Sequence, residues 1–403
     1  MKILLVYPFF PYFKSAHGTA LRMFHYLKHM SKNNEITLCC FVEEPDKQYL
    51  PSIKRFCKAV YAVELPNPNL FSRLFNTAFS NKIRIARNLY SAKMLEAIKR
   101  CLENEKFDIV HFELVYMYEY LKRLKNTASF VTILSEAEIM SRAIAERIKQ
   151  PKSLLANAIS LLDALKIKDY EVKAWMSFDK ILAISEVEKQ EIQSLCPEAR
   201  VEIFPNGVDV TFFDSVSGGA SEEYTLIYTG NFWHYPNEDA MLYFYKNIFL
   251  TLKESLPKLR LLVVGKNPTL RIKNIARTDD NVIVTGYVED IRPYLSKALV
   301  FIAPIRIGGG MRGKVLEAMA AGIPVVATSL GVEGIEVKDG KHVLIADRPE
   351  DFVLKTKRIL EDGSLRQQLS SNARKLMEDK YDWSIVYSNL EKTYQKVISE
   401  SNK

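Results

Sequence analysis

The chain has 403 residues, 48% hydrophobic and 26% charged, and 56 Lys and Arg against 48 Asp and Glu leave a formal net charge of +8. Length and composition suit a globular chain of about two domains and exclude a disordered or fibrous one; no apolar run approaches the roughly 20 residues of a transmembrane helix. Five cysteines without metal-ligand spacing fit free thiols in a reducing compartment. The basic balance calls for an acidic partner, and without a recognisable nucleic-acid module that partner is a phosphorylated substrate or an anionic membrane surface.

The opening MKILLVYPFFPYFK contains two prolines, four aromatics and no small-residue cleavage site, so it reads as a first strand, Ile3 to Val6, rather than a signal peptide. A loop from Pro8 to Gly18 leads into a helix with Ala20, Leu21, Phe24 and Leu27 on its apolar face. Ile36 to Val42 and Ala59 to Val63 follow as strands. Between Leu70 and Arg100, Phe71, Leu74, Phe75 and Phe79 interleave with Arg73, Lys82, Arg84 and Arg87. That mixture suits a helix lying on an anionic membrane, or equally a packed helical pair with a solvated basic face. Phe107 to His111 is a short strand with a histidine at its carboxyl end, where functional residues of open α/β sheets collect; His111 is either such a residue or a satisfied core histidine. Phe130 to Leu134 repeats the arrangement, and Glu136 or Glu138 could face the same edge.

Ser141 to Trp175 has helical spacing, Lys180 to Ile184 is a strand, and Ser185 with Glu188 has the spacing of a capping box. After the strand Val201 to Phe204, the run Pro205-Asn206-Gly207-Val208-Asp209 predicts a turn. The second half opens with the strand Thr225 to Tyr228 and Thr229-Gly230-Asn231-Phe232-Trp233. Leu261 to Val264 is followed by Gly265-Lys266, in which Lys266 is a phosphate cation or a solvated loop lysine, and Val282 to Val284 precedes Gly286-Tyr287-Val288.

Ala298 to Val332 carries the strongest signal: an apolar run Leu299 to Ile305, three glycines, a helical face of Val315, Leu316, Met319 and Ala320, then Pro324 to Thr328 as the next buried strand. Consecutive glycines before a helix let backbone approach a ligand and leave the first helical N–H groups for phosphate oxygens. Arg312 and Lys314 add cations there. Glu317 leans back over the loop, where its carboxylate suits ribose hydroxyls; the alternative is an ordinary surface pair between Lys314 and Glu317. Beyond Val343 to Ile345 the chain reads as helical, ending in an amphipathic helix with Val386, Leu390, Tyr394 and Val397.

The run GGGMRGKVLEAMAAGIPVVATSLGVEG resembles the donor-binding segment of retaining nucleotide-sugar glycosyltransferases of the GT-B fold, glycosyltransferase family 4. Members typically carry two glutamates eight positions apart; Glu317 matches the second, while the first falls on Gly309, as in a subgroup with a glycine-rich loop followed by Arg and Lys. The resemblance implies an α/β protein of two Rossmann-like domains facing a central cleft: an acceptor-binding domain over 1–205, a nucleotide-sugar domain over 206–375, and a helix over 376–403 crossing back to the first. It implies that Gly18 lies near the donor phosphates, His111 beside the donor sugar and the backbone of Val288 near the base. Gly309, Gly310, Met311, Arg312, Lys314 and Glu317 would form the donor loop. Related enzymes often place an arginine and a lysine just after the strand that here ends near Tyr228; neither is present, and Lys266 with Arg312 and Lys314 is expected to stand in.

The reaction so implied moves a sugar from a nucleoside diphosphate sugar to a hydroxyl of a glycan or lipid-linked acceptor, with retention. It is expected to need no cofactor and no metal, there being no Asp-x-Asp motif. Bacterial surface polysaccharide synthesis is the expected setting, in the cytoplasm or peripherally at the inner face of its membrane. Two other readings use the same fold, a non-catalytic nucleotide-sugar-binding scaffold and a nucleotide-sugar epimerase. An NAD enzyme is disfavoured because the first strand lacks a Gly-x-Gly-x-x-Gly fingerprint.

Overall fold

Ile3, Leu4, Leu5 and Val6 are all fully buried, as a strand must be when helices cover both faces of its sheet. A computed structural model describes residues 1–12, 19–65, 89–124, 130–148, 154–216 and 224–401. The chain forms two units, Met1–Pro205 with Val386–Lys403, and Asn206–Ile385.

The first unit is built on β1 (Lys2–Tyr7), β2 (Glu35–Val42), β3 (Ala59–Glu64), β4 (Ile109–Glu113), β5 (Val131–Ser135), β6 (Lys180–Ala183) and β7 (Val201–Ile203). Their order is β3-β2-β1-β4-β5-β6-β7 and every pair is parallel. The order reverses direction between β1 and β4, the switch point of a doubly wound sheet. Helical spacing makes Ser141 to Trp175 one stretch; the structure has two helices, Met140–Ile148 and Leu154–Trp175. Ser185 accepts the Glu188 amide at 3.4 Å, while its hydroxyl donates to the Glu188 carboxylate. The spacing is that of a capping box, but the glutamate returns to the serine side chain rather than to its backbone. Of the basic stretch 70–100, residues 70–88 lie outside the described residues, and Ala92–Asn104 is a helix capped by Ser91.

The second unit contains β8 (Thr225–Thr229), β9 (Arg260–Val264), β10 (Val282–Gly286), β11 (Val300–Ala303), β12 (Val325–Ala327) and β13 (Leu344–Ile345). The order is β10-β9-β8-β11-β12-β13, again all parallel. The tail expected to leave this unit at residue 376 stays with it as far as Ile385. The reason is backbone pairing: the Val208 amide donates to Tyr381 O at 2.8 Å and the Trp383 amide to Val208 O at 3.1 Å. From Val386 onward the helix Trp383–Ser401 belongs to the first unit, where the predicted apolar positions Val386, Leu390, Tyr394 and Val397 are all buried. Among the described residues, no helix is long and apolar enough to cross a membrane.

Candidate functional site

The glycine loop follows β11 in the second unit. Gly308 and Gly310 have φ of 92° and 79°, in the left-handed region where a Cβ would clash with the carbonyl. Arg312 precedes the helix Gly313–Ala320 with extended backbone, and no side chain caps that helix, so its first-turn N–H groups face the loop. The Arg312 guanidinium turns back on its own loop and donates to Gly308 O at 2.7 Å and to Gly309 O. Arg312 therefore shapes the loop, with its charge held beside Lys314. Met311 is buried beneath.

Lys314 reaches away from its helix. Its ammonium donates to Asn237 Oδ1 at 2.6 Å and Tyr228 Oη at 3.1 Å, and sits 4.3 Å from the centroid of the Tyr228 ring. A Cβ on Gly230 would come within 3.1 Å of that ammonium. The cation is thus delivered to the loop after β8, where the resemblance implies an arginine and a lysine from β8's own loop. Burial, reinforced by the Arg312 charge and opposed by Glu317, lowers the Lys314 pKa to about 7. Burial likewise raises Glu317 to about 7, offset in part by Lys314. Among the described residues no group donates a hydrogen bond to the Glu317 carboxylate, so it retains its acceptor capacity.

The loops after β8 and β9 touch at backbone distance. Gly265 has a φ of 142°, and a Cβ there would lie 1.8 Å from Gly230 O. The Gly230 amide donates to Val264 O at 3.0 Å and the Phe232 amide to Lys266 O at 2.9 Å. Lys266 lies apart from the Lys314 cluster, with its ammonium 4.8 Å from the centroid of the Tyr287 ring. Val288 is on the adjoining loop after β10, partly exposed. The structure therefore gathers Gly309, Gly310, Met311, Arg312, Lys314 and Glu317, and puts Lys266 and Val288 on neighbouring loops of the same sheet edge. Gly18 lies outside the described residues. Tyr228 and Asn237, which position the Lys314 ammonium, escape sequence reasoning; Asn237 after Pro236 reads only as loop punctuation.

His111 takes the core position, one of its two readings. β4 continues to Glu113, so the histidine is inside the strand and fully buried. Its Nε2 is 3.2 Å from Glu113 Oε2, and its Nδ1 shares a hydrogen bond with the Tyr394 hydroxyl, which is 3.2 Å from Tyr26 Oη. Burial lowers its pKa against the pull of Glu113, favouring a neutral imidazole. With both nitrogens engaged and no exposed surface, His111 sits in the interior of the first unit. Glu136 also turns inward, accepting Trp175 Nε1 at 3.1 Å, and burial holds its carboxyl well above the usual range; Glu138 is exposed. Tyr394→Phe should leave the His111 ring and Tyr26 without their shared partner, at a cost of about 1–3 kcal/mol read from urea midpoints. Nucleotide binding should not change.

A pH dependence follows from Lys314. Above about 7 its amine is neutral in the ligand-free protein, so affinity for an anionic diphosphate should fall as pH rises through that value. Lys314→Arg should make the profile shallower because guanidinium stays charged, leaving the fall due to Glu317, and titration calorimetry in two buffers should show less proton uptake on binding by the variant than by the wild type.

Residues 223–362 match the family described as Glycosyl transferases group 1. Over 407 residues the chain is 24% identical to an uncharacterized 44.6 kDa protein in the cps region of Klebsiella pneumoniae, covering 96% of this chain and 98% of that one. It is 28% identical over 239 residues to a phosphatidyl-myo-inositol mannosyltransferase of Mycobacterium tuberculosis, covering 55% of this chain and 61% of that protein. It is 25% identical over 248 residues to the capsular polysaccharide biosynthesis glycosyltransferase CapM of Staphylococcus aureus, covering 55% and 62%. The matches thus span less than two thirds of the latter two. Among solved structures, a sucrose-phosphate synthase from Thermosynechococcus elongatus superposes with a TM-score of 0.71 at 16% identity, over 99% of each chain. Anabaena HepE in complex with UDP gives 0.65 at 14% identity, over 98% of this chain and 100% of that one. Two parallel Rossmann-like sheets and these structural likenesses give the chain the GT-B fold, and residues 223–362, with the glycine loop that opens a helix, are similar to the glycosyl transferases of group 1.

Proposed function

We propose that the second unit binds a nucleoside diphosphate sugar and that the enzyme transfers the sugar, with retention, to a hydroxyl of a glycan or lipid-linked acceptor in bacterial surface polysaccharide synthesis. The observation that carries this reading is the delivery of Lys314 from the glycine-loop helix to Asn237 and Tyr228 beside β8. Negative charge grows on the diphosphate as the glycosidic bond breaks. A desolvated ammonium and an uncapped helix N-terminus stabilise that charge without a metal ion, and need no cofactor. Glu317 accepts the ribose hydroxyls, and the departing phosphate helps to take the acceptor proton. At Gly309, where the resemblance implies a glutamate, the carbonyl is held by Arg312.

The UDP in the HepE structure and the capsular role that CapM's name carries support the donor class and the setting, at the cytoplasmic face of the membrane. Thermal stabilisation by UDP, GDP and ADP, with and without magnesium, tests the donor site. A nucleotide at ~100 times its dissociation constant adds about 2.7 kcal/mol to a protein that binds it only when folded. Stabilisation by one nucleotide without magnesium is the expected result. No shift by any of them in folded protein overturns the assignment, and an inverted anomeric product, read by NMR, overturns retention.

A further inference from the structure

A pocket of about 450 Å³ opens in the second unit at the amino ends of β11 and β12, whereas the glycine loop follows the carboxyl end of β11. Leu299 leads into β11 and Ile323 with Pro324 into β12, and together with Leu295 they give the pocket an aliphatic wall. The other wall is one side of the helix Gly363–Leu376, on which Arg366, Gln367, Ser370, Ser371 and Arg374 recur at helical spacing. The volume lies within the roughly 300–1,000 Å³ usual for small-molecule sites. None of the lining residues belongs to the glycine loop or to the loops after β8, β9 and β10, so the pocket is separate from the donor edge.

The two arginines of the pocket have little charge to spare. Arg366 donates from Nη1 to Ile359 O at 2.7 Å and to Leu360 O at 2.8 Å, in the last turn of the helix Pro349–Glu361. Arg374 donates to Ala320 O at 2.9 Å, at the end of the helix Gly313–Ala320, and pairs with Asp214 and, at 3.0 Å, with Glu378. Each guanidinium therefore answers the negative end of a helix, and Arg374 answers two carboxylates besides. A phosphate entering here would meet two helix carboxyl ends and two acids, which disfavours nucleotides and sugar phosphates. Hydrogen-bonding capacity, by contrast, is left over. Among the described residues, the side chains of Gln367, Ser370 and Ser371 have no hydrogen-bond partner, and Arg366 keeps its Nη2 donors. Donors and acceptors along one wall and aliphatic carbon along the other match a neutral sugar, with hydroxyls at the rim of its ring and C–H groups on its faces. An acyl chain would bury the polar wall without partners, at a cost in free energy for each group. We propose that this pocket binds a neutral sugar unit, free or within a glycan. The site goes beyond the donor assignment and stands without it.

Saturation-transfer NMR on the full-length protein reads weak sugar binding directly, with glucose, galactose, mannose, maltose, lactose and mannobiose as probes. At least one should give a saturable signal, and the 6-phosphate or uronate of that sugar should bind roughly tenfold more weakly, because its charge faces the two helix ends. Ser370→Phe and Ser371→Trp each put a ring into the pocket and should weaken binding by about tenfold or more. Both variants should keep the wild-type melting temperature and the wild-type response to nucleotide, whatever that response is, which shows them folded and separates this test from that of the donor site. A disaccharide that binds more tightly than its monosaccharide gives the pocket to a glycan chain, and equal affinity gives it to a free sugar. No saturable signal from any of these sugars overturns the proposal, as does a signal undiminished by both variants. A signal displaced by UDP places the sugar at the donor edge, and tighter binding of the charged sugar makes the arginines anion ligands; either result overturns it too.

Discussion

Lys314→Met should lower the transfer rate by roughly 10²–10³-fold and abolish stabilisation by nucleotide, while the ligand-free protein melts no lower than wild type. The substitution keeps the length and apolar stem of the side chain and removes only its charge. The two consequences have opposite signs because the site is built for the liganded state. In the ligand-free protein, burial and the Arg312 charge disfavour the ammonium and lower its pKa to about 7. Removing it relieves that cost, although Asn237 Oδ1 loses a donor at 2.6 Å. Once a diphosphate is bound, the same desolvation strengthens the attraction between ammonium and phosphate. Stability retained with activity lost is the pattern expected where function is built on local instability. Steady-state rates with the donor identified by the nucleotide screen, and melting curves with and without nucleotide, check both halves. Turnover retained in Lys314→Met would remove Lys314 from the site.

Gly265→Ala should destabilise the second unit by about 3–5 kcal/mol, at the upper end of what a single substitution does. Two independent costs combine. The φ of 142° is one that an L-residue rarely adopts, and the new Cβ would lie 1.8 Å from Gly230 O, so the loops after β8 and β9 must separate. That separation would break the Gly230 amide's bond to Val264 O and shift the loop whose Asn237 holds Lys314. For a unit of this size the melting temperature should fall by on the order of 10 °C, and nucleotide stabilisation should weaken as well. Gly313→Ala is the control. A Cβ there meets nothing within 4 Å, and alanine is the better helix former, so stability should be unchanged or slightly raised. Equal behaviour of the two variants would count against the described contact between the two loops.

The glycine loop is legible in the amino-acid sequence because its parts are consecutive: glycines, cations and Glu317 fall on one loop and the first turns of one helix, and helical geometry alone brings them to one end. His111 cannot be placed that way. The residue that occupies its Nδ1 is Tyr394, 283 positions further along the chain, and nothing near His111 announces it. Lys314 is an intermediate case. Its place in the loop is legible, but the lack of an arginine and lysine after β8 reads as a gap until the fold brings the Lys314 ammonium to that loop, to partners 77 and 86 positions away. The pocket at the amino ends of β11 and β12 carries no signal in the sequence, since Leu299 and Ile323 meet Ser370 and Ser371 only in the folded chain.

What the sequence determined by itself was the parallel α/β architecture and the position of the glycine loop. Both rest on local physics: apolar runs long enough to be buried on two faces, turn residues between them, and glycines where the backbone needs a positive φ. The tertiary structure alone decided which side chains meet. Burial, pKa and hydrogen-bond partners are set by segments brought together from distant parts of the chain, so it turned His111 into an interior residue and carried the charge of Lys314 across to β8.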